Sequence, residues 1–337
     1  MKKKLLHSPA EWEKQAATWL AFPHHKKNWA GELGEKARQF YFDLILKIVK
    51  FQPANILVPK NFQLPEIFQA KLAKQPYPAT FLKISTNDIW IRDYGPFFVK
   101  RGDSTEIVKT EFNAWGEKFP PWDKDNSVPN KIAKRLKMPI ATIPYIFEGG
   151  AIEFNGDGLA ITSLPCLFGE KRNQKKDSAK IRRALKKSLG LRDILAVPYG
   201  LVGDHTDGHI DNVARFVKKN HIVIAKDENS KNANLLNEIY FCIELWLKKH
   251  YGDNYKIDTL PLPPQQEVNG EILPASYMNF IFVNNGLIYP KYYKKTDLIA
   301  QEFFEKTFPE RKVIGINAKD IIREGGSLHC LTKHQSA

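Results

Sequence analysis

Residues 148–163 run EGGAIEFNGDGLAITS. A polar cluster opens a strand, a glycine-rich turn follows, and a second strand leaves it. The chain repeats this arrangement. RDYGPFFVKRGDSTEIVKTEF starts at Arg92, GHIDNVARFVKKNHIVIA at Gly208 and SYMNFIFVNNGLIYP at Ser276. The turns RGDS, NGDG, KKNH and NNG all suit hairpins, because Gly and Asn tolerate the backbone angles that tight turns need. A fifth polar cluster, GGSLHC, ends at Cys330 with no room after it for a second strand and a helix.

Between the hairpins, helical and extended patterns alternate. Phe40, Leu44, Ile45 and Ile48 recur at helical spacing within 35–50, and a strand follows over 54–58, stopped by Pro59. Asn130 caps a short helix reaching Met138, with a strand over 141–146. Helices over 177–189, 232–250 and 296–304 lead into strands over 194–197, 257–260 and 312–316. This is an α/β pattern. With Asp93, Glu148, His209, Asn279 and Cys330 as markers, the separations are 55, 61, 70 and 51 residues. Units of that length suggest five pseudo-repeats in a ring, each delivering one polar cluster to a shared centre. Ordinary α/β alternation without symmetry is the alternative.

Composition narrows the class. Of 337 residues, 43% are hydrophobic and 26% charged, which excludes disorder, collagen and coiled coil. Lys and Arg outnumber Asp and Glu by 51 to 37, a net +14. That excess is spread along the chain, which favours plain solubility over a nucleic-acid or anionic-membrane surface. The densest run, EKRNQKKDSAKIRRALKK from Glu170, is expected to form a loop and a solvated helix face. The three cysteines, Cys166, Cys242 and Cys330, form no CxxC pair. A disulfide framework and a Cys-rich zinc site are therefore not expected, and a reducing compartment fits. MKKKLLHSPAEWEK has a basic start but no apolar signal core, and no apolar run approaches membrane-span length. The expectation is a cytoplasmic protein.

Candidate chemistry concentrates in the polar clusters. Free cysteines are usually small buried hydrophobes, yet a Gly-Gly turn is a poor core position for Cys330. Its neighbour His329 invites a Cys–His pair, but adjacent strand residues point to opposite faces, so His329 is not the expected partner. His209 and Asp211 stand two apart in GHIDN, on one face of an extended segment. There an imidazole could move protons while a carboxylate holds a cation. Asp93 and Glu148 open repeats beside Trp90, Trp115 and Phe147, aromatic walls suited to a cation. No HxxxH pair or third ligand at standard spacing supports a metal. No GxGxxG opens a helix after a strand, and no GxxxxGK[ST] occurs, so no cofactor is expected. Nucleophilic cysteine catalysis remains. Carboxylates near a thiolate raise its pKa and would hinder a simple thiol protease. They make sense around a cationic substrate, and a forked guanidinium matches paired carboxylates.

WIRDYGP, FEGGAIEFNGDG, TDGHIDN, SYMNF and GGSLHC closely resemble the agmatine deiminases, grouped with bacterial peptidylarginine deiminases. PAEWEKQAATWLAFPHH and FNAWGEKF extend the resemblance, which runs from Pro9 to Thr332. It implies the pentein fold, a pseudo-fivefold symmetric five-bladed α/β propeller forming a single catalytic domain over residues 1–337. It implies Cys330 as nucleophile, His209 as general acid and base, and Asp93 and Asp211 as the guanidinium grip. Glu148 would hydrogen-bond and orient His209, while Trp90, Trp115 and Asn279 would face the substrate.

The implied reaction converts agmatine, a small cationic guanidino substrate, to N-carbamoylputrescine and ammonia through a covalent cysteine intermediate, feeding polyamine synthesis. No metal, cofactor, nucleic acid or membrane takes part, and a homodimer is left open. The family commonly reads GGGNIHC where this chain reads EGGSLHC. Glu324 thus stands for a glycine, Ser327 for an asparagine, and Leu328 is a mild change, which bears on the substrate's tail. Peptidylarginine and free arginine are alternative substrates. Free arginine needs a cationic clamp, for which Arg92 and Arg215 are available. Amidino transfer to an amine and a basic nucleic-acid-binding protein on the same frame are remoter readings.

Overall fold

A computed structural model describes residues 6–25, 29–174, 176–228 and 230–337. The first five residues of the basic start, and Lys175 within the basic run, lie outside them. The fold is mixed α/β. Five sheets share one plan: an antiparallel pair, then a helix, then a strand parallel to the second.

In the first sheet Phe97–Arg101 pairs with Ser104–Glu111, which runs parallel to Ile140–Ile146. The next three repeat this with Ile152–Phe154, Leu159–Ser163 and Asp193–Val197; Ala214–Lys218, His221–Lys226 and Lys256–Pro261; and Ile281–Val283, Gly286–Lys291 and Lys312–Asn317. The crossovers are the helices Val128–Leu136, Ser178–Leu189, Ala233–Tyr251 and Lys294–Thr307. Their stripes decide their docking. Ile181, Leu185 and Leu189 recur every fourth residue and are buried, as are Leu236, Ile239, Ile243 and Leu247. Each such side chain contributes roughly 1.5–3 kcal/mol by leaving water. Asp177 begins its helix by accepting hydrogen bonds from the amides of Ala179 and Lys180.

The fifth sheet agrees with the reading of GGSLHC, because only one strand follows it: Thr332–Ser336 pairs antiparallel with Gln15–Ala21, far away in sequence. Gln15–Ala21 then runs parallel to Ala54–Val58 across the helix Gly31–Ile48, and Ala79–Lys83 extends the edge. Residues early in the chain thus supply what the late cluster lacks.

A short turn precedes the first strand of each unit: Ile91–Tyr94, Gly149–Ala151, Ile210–Asn212, Tyr277–Asn279, and the turn containing Cys330. Hydrogen bonds and contacts link one turn to the next. Gly150 N–H donates to Asp93 (2.9 Å), Gly149–Ala151 packs on Ile210–Asn212, and Asn279 Nδ2 donates to Asn212 Oδ1 (2.9 Å). His329 N–H donates to the Asn279 carbonyl at 3.2 Å. Arg92 N–H donates to the Cys330 carbonyl at 3.2 Å, returning to the first turn.

Candidate active site

The turns aim their polar side chains at one another. His209 does so from an extended residue just before the 3₁₀ turn Ile210–Asn212 and Asp211 from within that turn, rather than both from the extended segment their spacing suggested. The meeting point is Gly150. A Cβ there would lie 2.5 Å from His209 Nδ1, 2.8 Å from Asp93 Oδ1 and 3.0 Å from Asp211 Oδ2. Only glycine leaves these three groups room to converge. Asp93 Oδ1 lies 3.6 Å from His209 Nδ1, and Asp211 Oδ2 lies 4.0 Å from Cys330 Sγ. All four residues are buried. Among the described residues, Asp211 Oδ1 and both ring nitrogens of His209 have no hydrogen-bond partner. Unpaired buried polar atoms are costly, so their concentration here marks a place that a ligand completes.

Charge is distributed unevenly among these groups. Burial, then Asp211 and Asp93, pushes the Cys330 thiol well above its usual range, while the backbone at Ser327 and the Asn279 amide act against this. Burial, with added repulsion from Asp211 and Glu148, raises Asp93 to about 6 despite His209 and the Gly150 amide. His209 is raised: burial opposes its charge, but Asp93, Asp211, Asp204 and Glu148 outweigh that. Asp211 is lowered, because the His329 hydrogen bond and nearby cations overcome its burial. The set is an imidazole whose charged form is favoured, one firm carboxylate, one carboxylate that titrates in mild acid, and a thiol waiting for positive charge.

Asn279 serves the sulfur rather than the substrate cavity. Its Nδ2 donates to Cys330 Sγ at 3.2 Å and its Oδ1 accepts from His329 N–H at 2.8 Å. Trp90 and Trp115 do line the cavity, together with Asp93 and Cys330. Trp115 also donates its indole N–H to Asp93 Oδ2 at 3.0 Å. It gets there through a left-handed turn: Ala114, Trp115, Gly116 and Glu117 have φ of 52°, 56°, 83° and 65°. Each non-glycine residue in that region costs about 1–2 kcal/mol. Asn113 holds the turn, its Oδ1 accepting from Gly116 N–H at 3.0 Å and its carbonyl from Glu117 N–H at 2.7 Å.

Glu148 departs from its expected role. Its Oε1 accepts from Arg172 Nε at 2.7 Å, and no hydrogen bond joins it to His209. Glu148, Cys166 and His209 nonetheless bring ligand-type atoms within 4.8 Å of one another, a grouping that could suit a soft cation. Two features disfavour that use. Arg172 already supplies positive charge to Glu148, and the Cys166 thiol donates to the carbonyl of Gly208 at 3.5 Å. Arg172 comes from the run expected to be solvated, yet its side chain is fully buried. It also binds Asp207 Oδ2 (2.6 Å) and the Thr206 carbonyl (2.8 Å), tying Glu148 to the loop that enters His209.

Beneath the site lies an ionic layer that the sequence reading missed. Glu11 Oε2 lies 2.7 Å from His329 Nε2, 3.3 Å from Arg92 Nη2 and 3.2 Å from Arg215 Nη2. Arg215 pairs with Glu153 at 2.7 Å and donates to the carbonyls of Met278 and Phe280. The other nitrogen of His329 reaches Asp211 Oδ2 at 2.7 Å. His329 therefore points away from the sulfur, as expected, and braces Asp211 instead. Carboxylate oxygens at both nitrogens favour the imidazolium, although burial, Arg215 and Arg92 hold its pKa below the ordinary value.

A buried thiol beside an imidazole and two carboxylates is the site of a cysteine hydrolase that receives a cation. The chain belongs to the Porphyromonas-type peptidyl-arginine deiminase family, whose model matches residues 7–336. An agmatine deiminase of Pseudomonas aeruginosa is 30% identical over 356 residues, covering 98% of this chain and 95% of the relative. A solved structure of C. jejuni agmatine deiminase, a cysteine-to-serine variant with substrate bound, is 32% identical with a TM-score of 0.88, covering 99% of this chain and 97% of the other. An Enterococcus faecalis agmatine deiminase structure is 27% identical with a TM-score of 0.85, covering 98% and 95%. The chain is thus a hydrolase of the guanidino C–N bond.

Proposed function

We propose that the protein is an agmatine deiminase, releasing ammonia and N-carbamoylputrescine. The observation that carries this reading is the convergence of Asp93, Asp211 and His209 on Gly150, with Cys330 beside Asp211. Asp93 and Asp211 hold the guanidinium, and Trp90 and Trp115 flank it. The arriving cation lowers the thiol's pKa, and Cys330 gives up its proton to solvent. Cys330 Sγ bonds to the guanidinium carbon. The C–N bond breaks as His209 protonates the departing nitrogen, which leaves as ammonia. His209 then takes a proton from water, the hydroxide adds to the same carbon, and the C–S bond breaks as the new hydroxyl's proton passes to the departing sulfur, leaving the ureido carbonyl and the free thiol. Two easier steps replace one hard hydrolysis. Glu148 acts on His209 by charge and by anchoring Arg172, and Asn279 steadies the sulfur.

The same reading places the five sheets around one axis as a five-bladed propeller, a single catalytic domain over 1–337 with the five turns at its centre. Among the described residues no helix is long and apolar enough to cross a membrane; the cytoplasmic setting is part of the proposal.

Free arginine is disfavoured by the placement of its candidate clamps. Arg92 and Arg215 are both buried and paired to Glu11. Agmatine has no α-carboxylate and needs no clamp. The test is a panel of agmatine, arginine and a blocked arginine peptide, scored for ureido product and ammonia. Agmatine alone should react; turnover of the blocked peptide alone would overturn the choice.

A further inference from the structure

The cavity above Cys330 has a volume of about 550 Å³ and holds more than a guanidinium needs. Cys330 and Asp93 lie on its wall together with Trp29, Trp90 and Trp115. The catalytic group has the unpartnered atoms already noted, Asp211 Oδ1 and the His209 nitrogens, all deeply buried. The same cavity is also lined by three further acids, Asp88, Asp125 and Glu324.

Those acids differ in what they already hold. Asp125 is buried and accepts from the backbone amides of Asn87 and Asp88 at 2.6 and 3.2 Å. Asp88 accepts from the Trp29 indole at 3.0 Å and the Ile89 amide at 2.8 Å. Both carboxylates shape the wall. Glu324 forms no hydrogen bond or ion pair among the described residues, although it is half-buried. Arg323 and His205 stand nearby and offset part of its charge without pairing with it. Lys118, another cation of the lining, is occupied by Asp207 and the His205 carbonyl. The segment carrying Glu324 is set against the cavity by Gly325 and Gly326. A Cβ on Gly326 would collide with the Trp90 ring, so the chain can pass close over that indole.

We propose that Glu324 recognises the distal ammonium of the substrate and so selects amino-alkyl guanidines over plain alkyl guanidines. This rests on the deiminase reading above and adds the determinant for the far end of the ligand. The cavity lining offers a carboxylate to a forked cation at Asp93 and, separately, a carboxylate with open acceptor sites to a compact one at Glu324, with the Trp29, Trp90 and Trp115 rings on the same lining for the methylene chain. Burial, and then the charge of Asp88, pushes the Glu324 carboxyl above its ordinary range. A carboxylate so placed gains from a cation.

The experiment compares agmatine with 1-butylguanidine, which lacks the distal ammonium, on the wild-type chain and on Glu324→Gln. The variant should lose at least about tenfold in kcat/KM for agmatine, mostly through KM, because a charge-assisted contact is removed. Its kcat/KM for butylguanidine should be unchanged, which also shows that the variant folds and that its sulfur works. Equal rates of wild type and variant on agmatine would overturn the assignment, and so would equal losses on both substrates. A wild-type chain that turns over neither compound would instead overturn the deiminase reading.

Discussion

Two layers of charge lie almost in contact, and they contrast. The lower one joins Glu11, Arg92, Arg215 and Glu153, with each charge facing an opposite one at 3.3 Å or less. The upper one gathers Asp93, Asp211, His209 and Cys330 and leaves ring nitrogens and a carboxylate oxygen without hydrogen-bond partners among the described residues. Both contain the residue types that catalysis uses. Opposite charges at every ionic contact make the lower layer a support, with Arg215 Nη2 its one atom lacking a hydrogen bond among the described residues, while the cluster of unpaired atoms makes the upper one a receptor. His329 joins them, with one nitrogen on Glu11 and the other on Asp211.

The strongest way to test that contrast is to remove the upper sulfur. Cys330→Ala should abolish ureido-product formation, by at least about 10⁴-fold, while the folded state persists. Full turnover by that variant would remove the covalent route. Next comes the lower layer. Glu11→Gln strips the shared anion from Arg92, Arg215 and His329, and should cost about 3–5 kcal/mol in urea unfolding. A change below about 1 kcal/mol would show that the lower layer is not a support.

A smaller effect is expected at the rim of the upper layer. Trp115→Phe removes the indole donor on Asp93 Oδ2, worth about 1.5–3 kcal/mol for a bond to a charged group. Steady-state rates should fall roughly ten- to hundredfold in kcat/KM. The gentlest probe is pH. Asp93 must be ionised to hold a cation, and its pKa is raised to about 6. The quantity kcat/KM should therefore decline as pH falls through that value, by up to about tenfold per unit. In Trp115→Phe this acid limb should move to higher pH, since a donor favouring the carboxylate is gone; an unmoved limb would detach Asp93 from binding.

Much of this was legible in the sequence. The hairpins centred on RGDS, NGDG, KKNH and NNG carry period-two patterns and turn residues, which are local signals. The strand over 54–58 matches its expected bounds, and the helix expected over 177–189 begins one residue later, after its aspartate cap. Asp93, His209 and Cys330 stood out as markers of the repeated polar clusters and Asp211 by its spacing from His209, and the family resemblance implied their roles. What escaped notice depends on long-range pairing. Glu11 meets Arg92 across 81 residues and His329 across 318, and nothing in PAEWEK marks it as buried. Arg172 was hidden in a basic run whose other members mostly face water. The left-handed turn at Trp115 offers only Asn113 and Gly116 as signals, and the hydrogen bond between them appears only once the chain has coiled the unusual way.

The strand Thr332–Ser336 begins two residues after Cys330 and is clasped by Gln15–Ala21; Trp19 bonds to Gln335 across 316 residues at 2.9 Å. A pairing that spans so much chain carries a loop-closure cost, and the bonds from the Cys330 turn to Asn279 and Arg92 share in holding it. Slippage of this latch would loosen one side of the turn that carries the sulfur, so reactivity should fade before the whole shape is lost.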